Sequence, residues 1–172
     1  MIKLLGALMI LFGCSYIGII KSCSLKNRRK ELLQLQKAIH ILESEIMYLY
    51  TEVPYIFLKI GENIGEGVGK IFQTAGKSLI NGDIFDVYNA LNDAASKNKF
   101  NTHLENKDLE IIMDLGKVLG KWDIESHKNE FIMAKNMVDE NLEESKKNEI
   151  KMSKMYTVLG VTFGLTICIL LI

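Results

Sequence analysis

Hydrophobic residues are arranged along this chain in two different ways. Two apolar blocks, residues 4–20 and 156–172, are 17 residues long each and contain no charged side chain. Between the blocks, apolar residues recur every three or four positions, which is the period of one face of an α-helix. The pattern therefore predicts an all-α protein in which a helical bundle lies between two apolar end segments.

The clearest helical pattern covers residues 32–49. Its apolar side chains repeat at intervals of three and four residues and form a heptad seam, which is typical of helices packed along their length: Leu32, Leu35, Ile39, Leu42, Ile46 and Leu49. Pro54 ends this helix and is suited to start the next one. Three further helices are predicted to begin at capping residues that precede apolar-periodic runs: Asp83, Thr102 and Asp123.

The last predicted helix is long. Its apolar period begins at Ile124 and leads into a stretch rich in glutamate and lysine, with no proline or glycine before Gly160. The pattern thus predicts one helix that continues from the bundle into the second apolar block. A hinge within the lysine-rich stretch is the alternative interpretation.

The two apolar blocks are predicted to be transmembrane helices. Seventeen residues give about 25 Å of helix, slightly less than the roughly 30 Å of a hydrocarbon core, and snorkelling lysines can close this gap. Lysines stand beside both blocks, at positions 3, 21, 151 and 154. A cleaved signal peptide or a lipidated Cys14 is an alternative for the first block, but basic residues after Ile20 disfavour translocation.

The distribution of charge predicts an orientation. Net charge is zero, with 21 basic and 21 acidic residues, but residues 21–30 hold five basic and no acidic side chains. Residues 31–145 hold 11 basic and 20 acidic ones, a net charge of −9. Because basic flanks favour the cytoplasmic side, the predicted domains are an N-terminal transmembrane helix (1–21), a cytoplasmic helical domain (22–154) and a C-terminal transmembrane helix (155–172).

Composition and motifs argue against enzymatic chemistry. The balanced charge excludes a strongly basic nucleic-acid binder, and the three histidines, at positions 40, 103 and 127, have no second His or Cys at metal-ligand spacing. Gly76-Lys77-Ser78 resembles the end of a phosphate loop, but Ile71 replaces the required leading glycine. The carboxylates are interpreted as solvated helix faces. No catalytic residue, cofactor, metal or small-molecule substrate is predicted.

Two sets of residues are predicted to make protein contacts. The first would bind a partner and combines part of the heptad seam with a corner before the last helix: Leu32, Leu35, Ile39, Trp122 and Asp123. Tryptophan is enriched at interface hot spots, and packing of Trp122 between two helices is the equal alternative. The second set has small residues four positions apart, which allows membrane helices to approach closely: Cys14, Gly18, Gly160 and Gly164.

Three sequence blocks resemble a known family. The first block has LLQLQKAI at 32–39 and LESEIMY at 42–48, followed by Thr51 and Pro54; the second is LGKVLG at 115–120; and the third starts with KMY at 154–156. In this order they are similar to the stage III sporulation protein AB family. The chain departs from the usual family pattern at three places. The family usually has threonine directly before proline, whereas Glu52 and Val53 stand between Thr51 and Pro54 here. It also has glutamine at the position of His127 and a small polar residue at that of Trp122.

The resemblance implies a non-enzymatic, membrane-anchored docking component of the secretion-like channel apparatus between mother cell and forespore, which endospore formation requires. It implies an integral protein of the outer forespore membrane on the mother-cell side, with a cytoplasmic domain similar to those of type II secretion and type IV pilus platform proteins. The implied partners are a cytoplasmic ATPase, stage III sporulation protein AA, other membrane subunits of the channel, and the lipid bilayer. A membrane-bound coiled-coil sensor that forms a homodimer is the alternative function.

Overall fold

The structure is a computed structural model that describes residues 2–119 and 124–171, without the side chains of residues 124–126 and of some residues near both ends. The described residues form helices and connecting turns and contain no strand, which confirms the all-α prediction. The elements, in chain order, are α1 (Ile2–Ser44), a π-helical turn (Glu45–Leu49), α2 (Val53–Ile64), α3 (Val68–Ile80), α4 (Val87–Lys97), a 3-10 turn (Lys99–Asn101), α5 (Asn106–Leu119) and α6 (Ile124–Leu171).

The chain divides into two compact units. Unit 1 combines Met1–Arg29 with Glu144–Ile172, and unit 2 is Lys30–Glu143. Helices α1 and α6 contribute residues to both units, whereas α2 to α5 belong to unit 2 alone. The predicted bundle corresponds to unit 2, and the predicted domain limits after residues 21 and 154 stay a prediction.

Unit 1 contains the first part of α1 and the last part of α6. An ion pair joins the two helices within this unit, since Nη1 of Arg29 lies 3.0 Å from Oε2 of Glu149. The side chains of Arg28 and Ser145 are buried here. The unbroken run of α6 from Ile124 to Leu171 agrees with the predicted long last helix.

Unit 2 is organised around one apolar core. Leu35, Ile39 and Leu42 of the heptad seam are fully buried in it. The rings of Phe57 and Phe72, from α2 and α3, meet edge to face with their centroids 5.2 Å apart. Every helix of the unit contributes to this core, so the helical period in the sequence reflects burial within the chain itself.

Glycines allow α2 and α3 to pack closely. A Cβ atom added at Gly61 would lie 2.6 Å from Cβ of Gln73, and one at Gly76 would lie 2.9 Å from the carbonyl oxygen of Pro54. The first distance is well below the separation of about 3.5–4.0 Å that carbon atoms prefer, and the second is also too short for a carbon atom beside a backbone oxygen. Gly76, which resembles part of a phosphate loop in the sequence, therefore serves the contact between two helices, as does Gly61.

Helix α4 begins later than the sequence pattern predicts. Its N-cap is Asp86, whose carboxylate accepts a hydrogen bond of 2.9 Å from the backbone N–H of Asn89. Asp83 lies before the start of this helix, and its N–H donates to the carbonyl of Ser78 in the turn that closes α3. Gly82 adopts a φ of 76° in this turn, a left-handed conformation that glycine accommodates at helix ends.

The structure does not support the predicted transmembrane helices at the two ends. Among the residues that the structure describes, no helix is long and apolar enough to cross a membrane. The predicted integral-membrane localisation in the outer forespore membrane, and the bilayer as a partner, are corrected with it.

Candidate partner-binding surfaces

The predicted partner-binding residues of the heptad seam lie in the core of unit 2. Leu32, Leu35 and Ile39 are each 0% exposed, so a partner has no access to them in this conformation. A homodimer formed through this seam would have to expose the apolar core, which argues against the sensor alternative. The partner-binding role of these three leucine and isoleucine side chains stays a prediction.

The other predicted contact residues are only partly described. Trp122 and Asp123 lie outside the described residues, and their role stays a prediction. Helix α1 contains Cys14 and Gly18, and α6 contains Gly160 and Gly164, but the description does not extend to their side-chain surroundings. The membrane setting of that prediction is contradicted, and close packing between the helices stays a prediction.

A surface that the sequence analysis missed lies where α1 ends. Four large side chains that occur within eight residues are between 56% and 78% exposed: Tyr48, Leu49, Tyr50 and Tyr55. We refer to these four residues as the tyrosine corner. Isolated exposed apolar side chains are ordinary, but several large ones on one short segment are typical of interaction surfaces.

An unusual backbone places these side chains at the surface. The last turn of the first helical segment, Glu45–Leu49, is a π-helix, and Tyr50 follows in the left-handed region with φ 53° and ψ 34°. Among the described residues, Tyr50 is the only one other than glycine with a positive φ. Such a conformation costs about 1–3 kcal/mol and is found preferentially at functional sites, as π-helical turns are.

Glu45 fixes the tyrosine corner to α2. Its buried carboxylate accepts hydrogen bonds from Nζ of Lys59 at 2.5 Å and from Oγ1 of Thr51 at 2.8 Å. These two bonds, chiefly the one from Lys59, hold the pKa of Glu45 below its ordinary value of 4.5. The backbone carbonyl of Glu45 also accepts hydrogen bonds from the N–H groups of Tyr50 and Thr51. Both the side chain and the backbone of Glu45 therefore hold the turn in place.

Some carboxylates are buried, contrary to the prediction that all of them lie on solvated faces. Glu31 in α1 accepts a hydrogen bond of 2.5 Å from Oγ1 of Thr102 and one of 2.7 Å from the N–H of His103. Asp108 in α5 is fully buried and accepts from Nδ2 of Asn141 at 2.9 Å. Glu31 thus connects α1 to the segment before α5, and Asp108 connects α5 to α6, both within unit 2.

The net charge of unit 2 is negative. Its sequence holds 12 basic and 19 acidic residues, a net charge of −7, whereas unit 1 holds 9 basic and 2 acidic residues, a net charge of +7. Glu52 is exposed between Tyr50 and Tyr55 and adds negative charge at the tyrosine corner. The surface thus favours a partner with a basic patch, since opposite charges accelerate association.

Comparison with known proteins agrees with the helical fold and with the three sequence blocks. The family described as stage III sporulation protein AB matches residues 3–172. The chain belongs to the stage III sporulation protein AB family. Its resemblance to this family, inferred from the sequence blocks, is therefore confirmed. Family membership implies a role in sporulation and partners within the sporulation apparatus, and it does not assign the chain to an enzyme family.

A curated relative and a solved structure are similar to this chain. Stage III sporulation protein AB of Bacillus subtilis (strain 168) is 26% identical over 172 residues, and the match covers 99% of each protein. A solved structure of a stage III sporulation protein AB superimposes with a TM-score of 0.67 at 21% identity. It covers 73% of this chain and 98% of that chain, and it confirms the helical bundle.

Proposed function

We propose that this member of the stage III sporulation protein AB family is a structural docking component of the channel apparatus between mother cell and forespore. Its helical bundle binds the cognate cytoplasmic ATPase, stage III sporulation protein AA. The tyrosine corner carries the proposal, because it presents large exposed side chains on a segment that Glu45 holds in place. The negative charge of unit 2 gives the bundle a preference for a basic partner surface.

The chemistry of the tyrosine corner suits protein binding. Tyrosine is enriched at interfaces because it offers a large contact area with few rotatable bonds and a hydroxyl group that can form hydrogen bonds. The turn that carries these side chains is already ordered by its bonds to Glu45, so binding loses little backbone entropy. A hot-spot tyrosine contributes about 2 kcal/mol or more, which corresponds to roughly thirtyfold in affinity.

Binding of the purified ATPase to the full-length protein tests the proposal. We expect the double variant Tyr48→Ala/Tyr55→Ala to bind roughly thirtyfold more weakly or worse than the wild type, with an unchanged far-UV circular dichroism spectrum. Phe100→Ala is the matched control, because Phe100 is an almost fully exposed aromatic residue outside the tyrosine corner. This control should bind like the wild type.

The salt dependence of binding tests the electrostatic part of the proposal separately. Association of an acidic bundle with a basic patch should slow as sodium chloride is raised, while dissociation changes less. If the wild type fails to bind the ATPase even at low salt, the docking function is refuted. If it binds but the double variant binds equally well, the tyrosine corner is not the docking surface.

A further inference from the structure

A groove that the docking proposal does not use lies between α5 and α6 in unit 2. It has a volume of about 360 Å³, and its apolar walls include Ile111, Leu115 and Ala134. All three of these side chains are buried and belong to the core of the unit. The groove is therefore a surface depression whose floor is the core itself.

The outer wall of this groove is apolar but open to solvent. Met133 and Met137 of α6 are 57% and 41% exposed although both line the groove. They are four residues apart, so they lie one above the other on one face of α6, about 6 Å apart along its axis. Methionine side chains are flexible and polarisable, and they are frequent on surfaces that accept apolar partner helices.

The polar rim of the groove has a net negative charge. Asp114, Lys117 and Glu130 line it, and Nζ of Lys117 is 2.8 Å from Oδ1 of Asp114. The positive charge of Lys117 is thus matched by its neighbour and is also placed 5.5 Å from the ring centre of Tyr88. Glu130 remains as an additional acidic group on the α6 side of the groove.

We propose that the groove between α5 and α6 binds an amphipathic helix of a partner protein, with apolar side chains facing Met133 and Met137 and lysine or arginine facing Glu130. A helix fits because its own apolar residues recur about every turn and match the spacing of the two methionines. Basic residues at the edge of its apolar face fit because the rim is acidic. This inference rests on residues outside the tyrosine corner and does not depend on the proposed ATPase docking.

Fluorescence polarisation with the full-length protein tests this inference. The probe is a labelled synthetic helix of about 18 residues, five turns, with leucine on one face and lysine beside it. One control peptide has the same composition in an order that removes the helical period, and a second has glutamate in place of lysine. We expect the lysine helix to bind at least tenfold more tightly than either control.

Variants locate the binding in the groove. Met133→Ser/Met137→Ser should weaken binding of the lysine helix at least tenfold, while Leu33→Ser, at an exposed apolar residue of α1, should leave it unchanged. Glu130→Lys should weaken binding of the lysine helix and strengthen binding of the glutamate helix. Nonspecific hydrophobic adsorption would not show this reversal. Circular dichroism shows that each variant retains its helical structure.

Three outcomes would overturn the inference. Equal binding of the periodic and the scrambled peptide would show nonspecific adsorption. Unchanged binding to the double methionine variant would place the peptide elsewhere on the protein. Concentration-dependent self-association that disappears in the double methionine variant would show that a second copy of the chain, rather than a partner helix, occupies the groove.

Discussion

The contact between α2 and α3 yields a specific prediction, because the two helices approach closely where Gly61 has no side chain. Gly61→Ala would place a Cβ atom 2.6 Å from Cβ and 3.2 Å from Cα of Gln73. Neither atom of Gln73 can rotate away, since both are fixed by the backbone of α3. The two helices must therefore separate by about 1 Å to restore ordinary carbon contacts, which loosens the nearby packing of Phe57 against Phe72.

The expected loss of stability follows from two opposing contributions. Overpacking of a core contact costs about 1–3 kcal/mol, and a shortfall of about 1 Å places Gly61→Ala near the upper end. Alanine is better than glycine in a helix by about 1 kcal/mol, which offsets part of this cost. The net loss is about 2 kcal/mol, or roughly 4–8 °C in Tm for a protein of this size.

Thermal unfolding followed by far-UV circular dichroism measures this effect. Gly13→Ala is the matched control, because Gly13 also lies in a helix, and a Cβ atom there would meet none of the residues that the structure describes within 4 Å. We expect the control to be unchanged or more stable by up to about 1 kcal/mol. A Gly61→Ala variant with the Tm of the wild type, or a control that loses as much stability, would refute the steric explanation.

Two further predictions test the core and the support of the tyrosine corner. Leu35→Ala should lower the free energy of unfolding in urea by about 2–5 kcal/mol, because Leu35 is fully buried. Leu33→Ala, at an exposed neighbour, should change it by less than about 1 kcal/mol. Equal losses would contradict the assignment of the seam to the core. Hydrogen bonds from Lys59 and Thr51 lower the pKa of Glu45 in the folded protein. Ionised Glu45 therefore stabilises the fold at a pH above its ordinary pKa, and this stabilisation is lost as the pH falls through the lowered pKa. The difference in Tm between wild type and Glu45→Gln should therefore shrink between about pH 7 and pH 3, and a difference that stays constant with pH would contradict this origin.

The sequence predicted the fold where burial repeats with a helical period. The heptad seam predicted a helix that packs along its length, and Leu35 and Ile39 of this seam are in the core, although they had been predicted to bind a partner. A simple period cannot show which carboxylates become buried, because Glu31 depends on Thr102 and His103, which are about 70 residues away in sequence. The helical period also did not show that Asp83 belongs to the turn that closes α3, so that the N-cap of α4 is Asp86 instead.

The apolar ends illustrate a different limit. Uncharged length and flanking lysines predicted transmembrane helices, but no helix among the residues that the structure describes is long and apolar enough to cross a membrane. Residues 4–20 and 156–171 lie within α1 and α6, helices of 43 and 48 residues. Each apolar block is thus one part of a helix that also contributes residues to unit 2.

The candidate docking site lies where the helical period of the sequence no longer matches the burial of the side chains. Leu49 continues the heptad seam in the sequence, yet it is 61% exposed, whereas Leu42 is buried. The π-helical turn at Glu45–Leu49 explains the difference, because its wider hydrogen-bond spacing shifts the register of the residues that follow. A regular α-helix would have kept Leu49 on the side of Leu42. The chain instead uses a strained turn, stabilised by Glu45, to expose apolar side chains, and such a departure from local preference is expected where function rather than stability determines the structure.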